Sequence, residues 1–251
     1  MRGAAVALLA PLLLGGAALG GCRKHDDQSD RAATSREFPR ADRPVSQSNS
    51  NQFSTEVQRD KVNEAQTVMD LADIKAGTTV ADIGAGEGYY TVRLAERVGS
   101  KGRVLAQDID EEALGRLGQR VERERLDNVS IKPGAPDDPR LPEKSFDRIF
   151  LVHMYHEVGE PYAFLWRLQP ALRPGGRVIV VDLDRPTDQH GIPPALLFCE
   201  FGRVGFRLTQ FVRKPELQGY YAQFEATGER PQPAAIQPCR DTRGAVPERA
   251  G

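Results

Sequence analysis

Three glycines in one short turn give the clearest chemical signal in the sequence. Gly84, Gly86 and Gly88 follow an apolar segment that carries an acid at Asp82. Because glycine has no side chain, such a turn lets the main chain lie close against a bound nucleoside. The glycine fingerprint of dinucleotide sites, G-x-G-x-x-G, would have its third glycine at position 89, which is Tyr89 here. The spacing therefore argues against a dinucleotide ligand.

A second candidate site residue, Asp108, lies near the end of the short apolar segment 103–109. A carboxylate there can accept hydrogen bonds from both hydroxyls of a ribose, and nucleotide-binding folds have such an acid about 20 residues after the glycines. The alternative is that Asp108 or Asp110 caps the helix that begins near Glu111. We assign Asp108 as the ligand and Asp110 as the cap, on position alone.

Two further segments carry polar residues at the ends of apolar strands. Residues 145–152, SFDRIFLV, read as a central strand that runs into the polar and aromatic loop HMYHE at 153–157. Residues 171–182 read as a helix end, a Pro-Gly-Gly turn and another strand that ends at Asp182. In doubly wound sheets, ligands bind outside the carboxyl ends of the strands. The loop and the glycine turn should therefore face one site.

The order of these four segments resembles the class I S-adenosylmethionine-dependent methyltransferases. Motif I, the ribose acid, the S-F-D strand and the L-R-P-G-G turn follow one another at about the family's spacing, and they cover residues 55–226. The resemblance implies that S-adenosylmethionine is the cofactor. It also implies which residues bind it: Asp82, Gly84, Gly86, Gly88 and Asp108.

One segment departs from the family pattern. In residues 132–138, KPGAPDD, many relatives have an acid directly after the glycine, where it meets the amino group of adenine, but this position is Ala135. The adenine contact would then pass to Asp137 or to the main chain. We therefore include Asp137 among the expected cofactor-binding residues.

Apolar periodicity predicts an α/β fold, with strands alternating with helices in a doubly wound, mostly parallel sheet covered on both faces. Residues 55–74 have helical spacing, and Ser54 or Thr55 can cap that helix. Segments 206–212 and 220–225 are too close for a crossover helix and should pair antiparallel. The resemblance implies seven strands with the last one reversed.

The loop at residues 153–157 would face the methyl acceptor, and we nominate His156 as acceptor contact or general base. Methyl transfer is an in-line displacement, so alignment of the reactants can supply up to roughly 7–11 kcal/mol and few side chains need take part. Alternatively, His156 caps a helix or packs in the core, and the catalytic role passes to Tyr155, Glu157 or Asp182. No cluster of His and Cys has zinc spacing, so we expect no metal ion.

The first 22 residues predict a lipoprotein signal peptide. A short apolar run precedes Leu-Gly-Gly-Cys, which matches the bacterial lipoprotein box, with Cys22 as the acylated mature N-terminus. We expect a protein anchored by lipid in the bacterial cell envelope and facing the periplasm; a mis-assigned start codon would leave it in the cytoplasm. Residues 23–53 and 227–251 read as a disordered tether and a disordered tail around a domain at 54–226.

Composition fits one domain of ordinary size. The chain has 251 residues, 39% hydrophobic residues and a net charge of −1, which gives no electrostatic footprint for nucleic acid. Three cysteines make no disulfide framework. With Cys22 assigned to lipid, we expect Cys199 to be a small buried apolar residue, and a bond with Cys239 is the less favoured alternative.

Three functions of different classes follow from these patterns. The first is an exported, lipid-anchored methyltransferase whose acceptor the sequence does not identify, although S-adenosylmethionine is made in the cytoplasm. The second is a non-catalytic lipoprotein that retains the fold and binds a nucleoside-like or other ligand. The third, an NAD-type oxidoreductase, is disfavoured by the tyrosine at position 89.

Overall fold

A central sheet of seven strands organises the protein, in the order β3-β2-β1-β4-β5-β7-β6. The structure, a computed structural model, describes residues 28–46, 55–217 and 219–240. The compact unit that contains the sheet begins at Arg31. Its strands are β1 (Thr79–Ile83), β2 (Arg103–Asp108), β3 (Val129–Pro133), β4 (Phe146–Val152), β5 (Leu172–Leu183), β6 (Phe206–Lys214) and β7 (Gly219–Ala226).

The strand directions confirm the doubly wound sheet that the sequence predicts. β1 pairs in parallel with β2 and β4, while β2 pairs in parallel with β3 and β4 with β5. β7 lies between β5 and β6 and runs antiparallel to both. Because the connection from β6 to β7 is short, the two strands form an antiparallel pair, and the reversed last strand is confirmed.

Helices cover both faces of the sheet, because successive residues of a strand point to opposite faces. Ile149 and Leu151 of β4 pack in one apolar core with α5 and α6, which follow β4 and β5, while Phe150 packs in a second core with α2 and α3. Burial on both faces explains the continuous apolar run of β4. The helices are α1 (Glu56–Lys61), α2 (Glu64–Leu71), α3 (Tyr89–Val98), α4 (Glu111–Glu124), α5 (Pro161–Leu168) and α6 (Pro194–Arg203).

The helix predicted over residues 55–74 is interrupted. Thr55 caps α1 and forms a capping box with Gln58, as the sequence indicates. The chain then breaks at Asn63, whose φ of 52° lies in the left-handed region, before α2 begins. Asparagine tolerates this conformation better than most residues, so the break needs no glycine. The prediction of one continuous helix is wrong for this reason.

The Pro-Gly-Gly segment lies inside β5 and does not form a separate turn, contrary to our expectation. Phe146 of β4 pairs with Leu172, whereas Arg148 pairs with Arg177, so β5 accommodates the extra residues as a bulge. Glycine is needed at position 176, because a Cβ there would lie 2.8 Å from the carbonyl oxygen of Phe146.

Residues 31–46, here called the N-terminal strap, pack on the domain, so the predicted disordered tether is wrong for this segment. Arg31 donates to the carboxylate of Glu160, and Phe38 is buried beside Trp166. Arg43 forms an ion pair of 2.8 Å with Glu200. The polar composition was misleading, because polar side chains can be buried when each finds a partner.

The chain after β7 is also attached to the domain as far as residue 240, contrary to the predicted disordered tail. Ile236 and Cys239 are buried in the core, and Cys239 forms a disulfide with Cys199 of α6. Our expectation of an unpaired Cys199 is therefore wrong. The fold brings the two Cα atoms to 6.0 Å, a separation that the sequence does not reveal.

The predicted lipoprotein signal, residues 1–22 with Cys22, lies outside the described residues. In the parts of the chain that the structure describes, every helix is too short or too polar to span a bilayer.

Arg43 of the strap also holds the loop that follows β4. Its guanidinium donates to the carbonyl oxygens of His156, at 3.2 Å, and Val158, at 3.1 Å. The hydroxyl of Tyr155 donates to Glu200 at 2.8 Å, on the other carboxylate oxygen from the one that Arg43 contacts. The strap therefore fixes the conformation of the loop from two sides.

We expect Arg43→Ala to lower the free energy of unfolding by about 3–5 kcal/mol, because it leaves the buried charge of Glu200 without its cationic partner. Arg213→Ala is the matched control, since Arg213 pairs with Asp184 at the surface and should cost less than about 1 kcal/mol. Urea unfolding of the two variants measures the difference. Equal, small losses would show that the strap does not contribute to the stability of the domain.

Candidate functional site

A cavity of about 770 Å³ opens at the carboxyl ends of β1, β2 and β4. This is the edge where the sequence predicts the site, and the volume is in the range of small-molecule sites. Its lining includes Ile83, Gly84, Ala85, Gly86, Gln107, Asp108, Ala135, His153, Met154, Glu157 and Phe164, with Glu56 and Arg59 contributed by α1.

The glycine turn after β1 needs glycine at all three positions, but for different reasons. Gly84, Gly86 and Gly88 have φ values of 70°, 53° and 90°, a region that favours glycine. A Cβ on Gly84 would meet Met154, and one on Gly88 would meet Leu117. A Cβ on Gly86 would have no described atom within 4 Å. Gly86 therefore presents open main chain to the cavity.

Asp108 lies directly beside that main chain. One of its carboxylate oxygens accepts a hydrogen bond from the Gly86 N–H at 2.8 Å, and the other accepts from the Asp110 N–H at 3.0 Å. A carboxylate has about four acceptor positions, so Asp108 can still accept from a ligand. Asp110 caps α4 through the N–H groups of Glu112 and Ala113, which confirms its predicted role.

Asp82 lies behind the turn and is not among the described residues that line the cavity. Its side chain is buried, and it accepts a hydrogen bond of 2.6 Å from the Thr91 hydroxyl of α3. Burial raises the pKa of Asp82 to about 6, although the Thr91 hydroxyl favours the charged form. Asp82 thus joins β1 to α3 and positions the glycine turn.

The structure does not bring Asp137 to the cavity, where Ala135 and Pro136 lie instead. Its carboxylate accepts from Thr34 and Ser35 of the strap, each at 2.7 Å, and forms an ion pair with Arg167. Burial opposes ionisation, but these donors lower the pKa of Asp137. The expected adenine contact from Asp137 is therefore not supported, because the carboxylate is already engaged in attaching the strap.

Sequence reasoning missed a charged wall of the cavity. Arg59 of α1 pairs with the buried Glu64 of α2, and Nε2 of His153 lies 3.4 Å from the same carboxylate. Burial would raise the pKa of Glu64, but the hydrogen bond from His153 and the guanidinium of Arg59 lower it to about 2. The Arg59 guanidinium also lies over the ring of Tyr89, 3.8 Å from its centroid. The one sequence signal for this pairing is Asn63, where the chain breaks between α1, which carries Arg59, and α2, which carries Glu64.

His156 is held by Asp182, near the end of β5, which the sequence analysis names only as an alternative catalytic residue. Its Nδ1 lies 2.9 and 3.0 Å from the two carboxylate oxygens of Asp182, and only 1% of the residue is exposed. The carboxylate accepts, so Nδ1 carries the proton and the ring orientation is fixed. Glu157, the next residue, lines the cavity. His156 thus lies just behind the cavity wall.

Comparison with known proteins agrees with this geometry. A family model described as a methyltransferase domain matches residues 74–197. Residues 74–197 are thus similar to a methyltransferase domain. The match begins before β1 and ends in α6, so it includes the glycine turn, Asp108 and the loop of His156.

Curated relatives with similar sequences are distant. The chain is 30% identical over 122 residues to the ubiquinone/menaquinone biosynthesis C-methyltransferase UbiE of Hahella chejuensis, a match that covers 48% of this chain and 49% of that protein. It is 29% identical over 130 residues to a demethylmenaquinone methyltransferase of Bacillus cereus, covering 52% and 54%. The chain thus matches about half the length of these relatives.

Solved structures support the same fold. A SAM-dependent methyltransferase from Aquifex aeolicus superposes with a TM-score of 0.61 at 25% identity, covering 67% of this chain and 92% of that one. The [4+2]-cyclase SpnF has a TM-score of 0.59 at 14% identity, covering 78% and 91%, and shows the fold alone. A cyclase among the structural neighbours means that the reaction must be argued from the site.

The raised pKa of Asp82 predicts a pH-dependent difference in stability between the wild type and Asp82→Asn. From about pH 4 to pH 6 the carboxyl group of Asp82 loses its proton in the unfolded state but keeps it in the folded state. The free energy of unfolding of the wild type should therefore fall relative to the variant as pH rises, by about 3 kcal/mol in total. Urea unfolding at a series of pH values measures it.

Asp137→Asn is the matched control for this measurement. The pKa of Asp137 is lowered in the folded state. The wild type should therefore have a higher free energy of unfolding than this variant above pH 4, and the difference should be lost as pH falls further. Parallel pH profiles of wild type and Asp82→Asn would contradict the prediction.

Proposed function

We propose that this protein binds S-adenosylmethionine and transfers its methyl group to an acceptor at the loop of residues 153–157. The observation that carries the proposal is the hydrogen bond between the Gly86 N–H and the Asp108 carboxylate at the cavity. It joins the open main chain of the turn to an acid that has lone pairs left for a ribose.

The residues present fit an adenosyl sulfonium ligand. Gly86 leaves space for the nucleoside. Tyr89, at the start of α3, replaces the third glycine of the dinucleotide fingerprint, which lets the helix pack closely on the strand beside a pyrophosphate. S-adenosylmethionine carries a positive sulfonium, and the residues that line the cavity include more acids than guanidinium groups: Glu56, Glu87, Asp108, Asp110 and Glu157 against Arg59. A low-dielectric cleft lined mainly by acids attracts a cation.

Catalysis would come mainly from alignment. When bound, the cofactor supplies a methyl group that its sulfonium activates. Gly84, Gly86 and Asp108 would hold the nucleoside. Met154 and Phe164 would form an apolar wall on the acceptor side of the cavity. Holding the two reactants in line can supply up to roughly 7–11 kcal/mol. His156 would act on the acceptor side.

The names of two relatives indicate which acceptor to test first. One is named for ubiquinone/menaquinone biosynthesis and the other as a demethylmenaquinone methyltransferase, so demethylmenaquinone in its reduced, nucleophilic form is the first acceptor to test. One observation favours the alternative of a binding protein without catalysis: Asp137 holds the strap, so no acid takes the place of Ala135 at the cavity. Cofactor binding without methyl transfer to any acceptor would support that alternative.

We also propose that the protein is exported and anchored by lipid at Cys22. The signal in residues 1–22 is the first support, and the disulfide between Cys199 and Cys239 is the second. Structural disulfides persist in oxidising compartments such as the periplasm and are rare in the cytosol. An exported enzyme would need a supply of cofactor from the cytoplasm.

Isothermal titration calorimetry on the full chain tests the proposed cofactor. We expect S-adenosylmethionine and its demethylated product to bind at one site, and NAD to bind far more weakly or not at all. Gly86→Ala should lower the affinity for S-adenosylmethionine at least tenfold, because the added methyl group enters the cavity. Equal or stronger binding of NAD would refute the proposal.

Gly99→Ala provides the matched control for the glycine turn. Gly99 also has a positive φ, 65°, and open space around its Cβ, but it ends α3 away from the cavity. Both variants should lose about 1–3 kcal/mol of stability, because a side chain is strained at either backbone conformation. Only Gly86→Ala should lose affinity. Unchanged affinity in a folded Gly86→Ala variant would show that the turn has a structural role alone.

Labelling with a palmitate analogue in the native bacterium tests the lipid anchor. The full-length protein should become labelled, and Cys22→Ala should abolish the label. As a control, Cys239→Ala removes the disulfide and should leave the label intact. An unlabelled wild-type protein in the cytosolic fraction would contradict export.

A further inference from the structure

A cluster of metal-ligating side chains lies behind the acceptor side of the cavity. His156, Glu157 and His190 each offer one ligand atom, and these atoms all lie within 4.8 Å of one another. His190 comes from the loop between β5 and α6, 34 residues beyond His156. The sequence spacing therefore gave no sign of the cluster, and our expectation of no metal ion rested on that spacing alone.

The position of His156 provides the second, independent observation. Its Nε2 is buried and has no hydrogen-bonding partner among the described residues. Because Nδ1 donates to Asp182, Nε2 of a neutral imidazole carries a lone pair. That lone pair lies 3.8 Å from a carboxylate oxygen of Glu157, which is also an acceptor. Either a proton or a metal ion on Nε2 would satisfy this contact, and the presence of His190 as a third ligand within 4.8 Å favours a metal ion.

The distances suit a metal ion. Around a tetrahedral zinc ion with bonds of about 2.0–2.1 Å, neighbouring ligand atoms lie about 3.4 Å apart. The separation of 3.8 Å between His156 Nε2 and Glu157 Oε1 needs only a small movement to reach that value. Two imidazoles and one carboxylate leave a coordination position open, as in catalytic zinc sites and some iron sites.

Asp182 completes the arrangement. A histidine that ligates a metal almost always donates its other ring N–H to a carboxylate or a carbonyl, which fixes the tautomer and makes the ligand atom more basic. Asp182 is fully buried and makes this contact with both of its oxygens.

We propose that His156, Glu157 and His190 bind a divalent first-row transition metal ion, with Asp182 positioning His156. Imidazole ligands favour zinc, iron or cobalt over magnesium or calcium. Because Glu157 lines the cavity, the open coordination position faces the acceptor side.

The site also restricts the acceptor, and this step rests on the proposed methyltransferase function. A bound metal lowers the pKa of a hydroxyl or thiol that enters its open position, so the proton leaves to solvent and an anionic nucleophile remains. The methyl acceptor would then carry an ionisable oxygen or sulfur. His156 would act as a metal ligand and not as a general base.

Cobalt(II) and zinc(II) titrations of the full chain test the site. We expect one equivalent of cobalt(II) to give the intense visible absorption of a low-coordinate nitrogen and oxygen site, and zinc(II) to displace it. His190→Ala should abolish that equivalent. Asp182→Asn should weaken binding about 10- to 100-fold, the usual cost of removing such a partner. His156→Ala should also abolish binding, but it could unfold the loop, so His190→Ala is the decisive variant.

His153→Ala is the matched control, because His153 lies in the same loop and contacts Glu64 outside the cluster. It should retain the cobalt(II) spectrum. Absence of a stoichiometric metal in the wild type, or equal binding by wild type and His190→Ala, would overturn the proposal. Nε2 of His156 would then carry a proton and face the carboxylate of Glu157 as a donor.

The affinity of His190→Ala for S-adenosylmethionine separates this proposal from the proposed function. His190 is not among the residues that line the cavity, so the variant should bind the cofactor as the wild type does. In the wild type, cofactor binding without metal binding would overturn only the metal site. Metal binding without cofactor binding would overturn the methyltransferase proposal, together with the inference on the acceptor, and leave the metal site standing.

Discussion

The parallel pairing of β1 with β2 is the constraint on which the site depends. Ile83 lies opposite Gln107, so both strands end at the same height. The N–H groups of Gly84 and Ala85 then reach the carbonyl oxygen of Gln107, and the N–H of Gly86 reaches Asp108. A slip of one residue would turn every side chain of the strand to the other face and separate the turn from the acid.

Buried charges and their partners shape the site more than apolar packing does. Asp82 is buried with one hydroxyl donor and keeps a raised pKa, whereas Glu64 is buried with a guanidinium and an imidazole and has a lowered one. The same burial therefore gives opposite pKa shifts, because the partners differ. On the other side of the loop, burial opposes the charge of Arg43, but the carboxylate of Glu200 raises the pKa of Arg43.

Two segments outside the sheet stabilise the acceptor side. The N-terminal strap contacts Asp137, Glu160 and Glu200 and donates to the main chain of the loop after β4. The disulfide fixes the segment after β7 to α6, and the N–H of Cys239 also donates to the hydroxyl of Tyr162 in α5. The strap thus holds the loop with His156 directly, and the disulfide holds α6, whose Glu200 contacts Tyr155 of that loop. Such support is what a site needs to keep its side chains in one geometry.

The sequence by itself determined the sheet, its strand directions and the edge of the sheet at which the cavity opens. Glycine spacing, apolar runs and the acid at Asp108 are local patterns, and a parallel α/β fold must bring strand ends together at one edge. The prediction for Asp110 succeeded for the same reason, since a helix cap depends on adjacent residues.

Only the tertiary structure decided the rest. The strap and the segment after β7 looked disordered because their composition is polar, yet Arg43 and Cys239 find partners more than 35 residues away along the chain. Asp137 attaches the strap and does not line the cavity as predicted, because Thr34 and Ser35 of the strap donate to its carboxylate. His156 and His190 meet for a similar reason: β5 brings Asp182 beside His156, and the loop after β5 returns His190 to it. Pairings of this kind depend on how distant segments pack, which local spacing does not record.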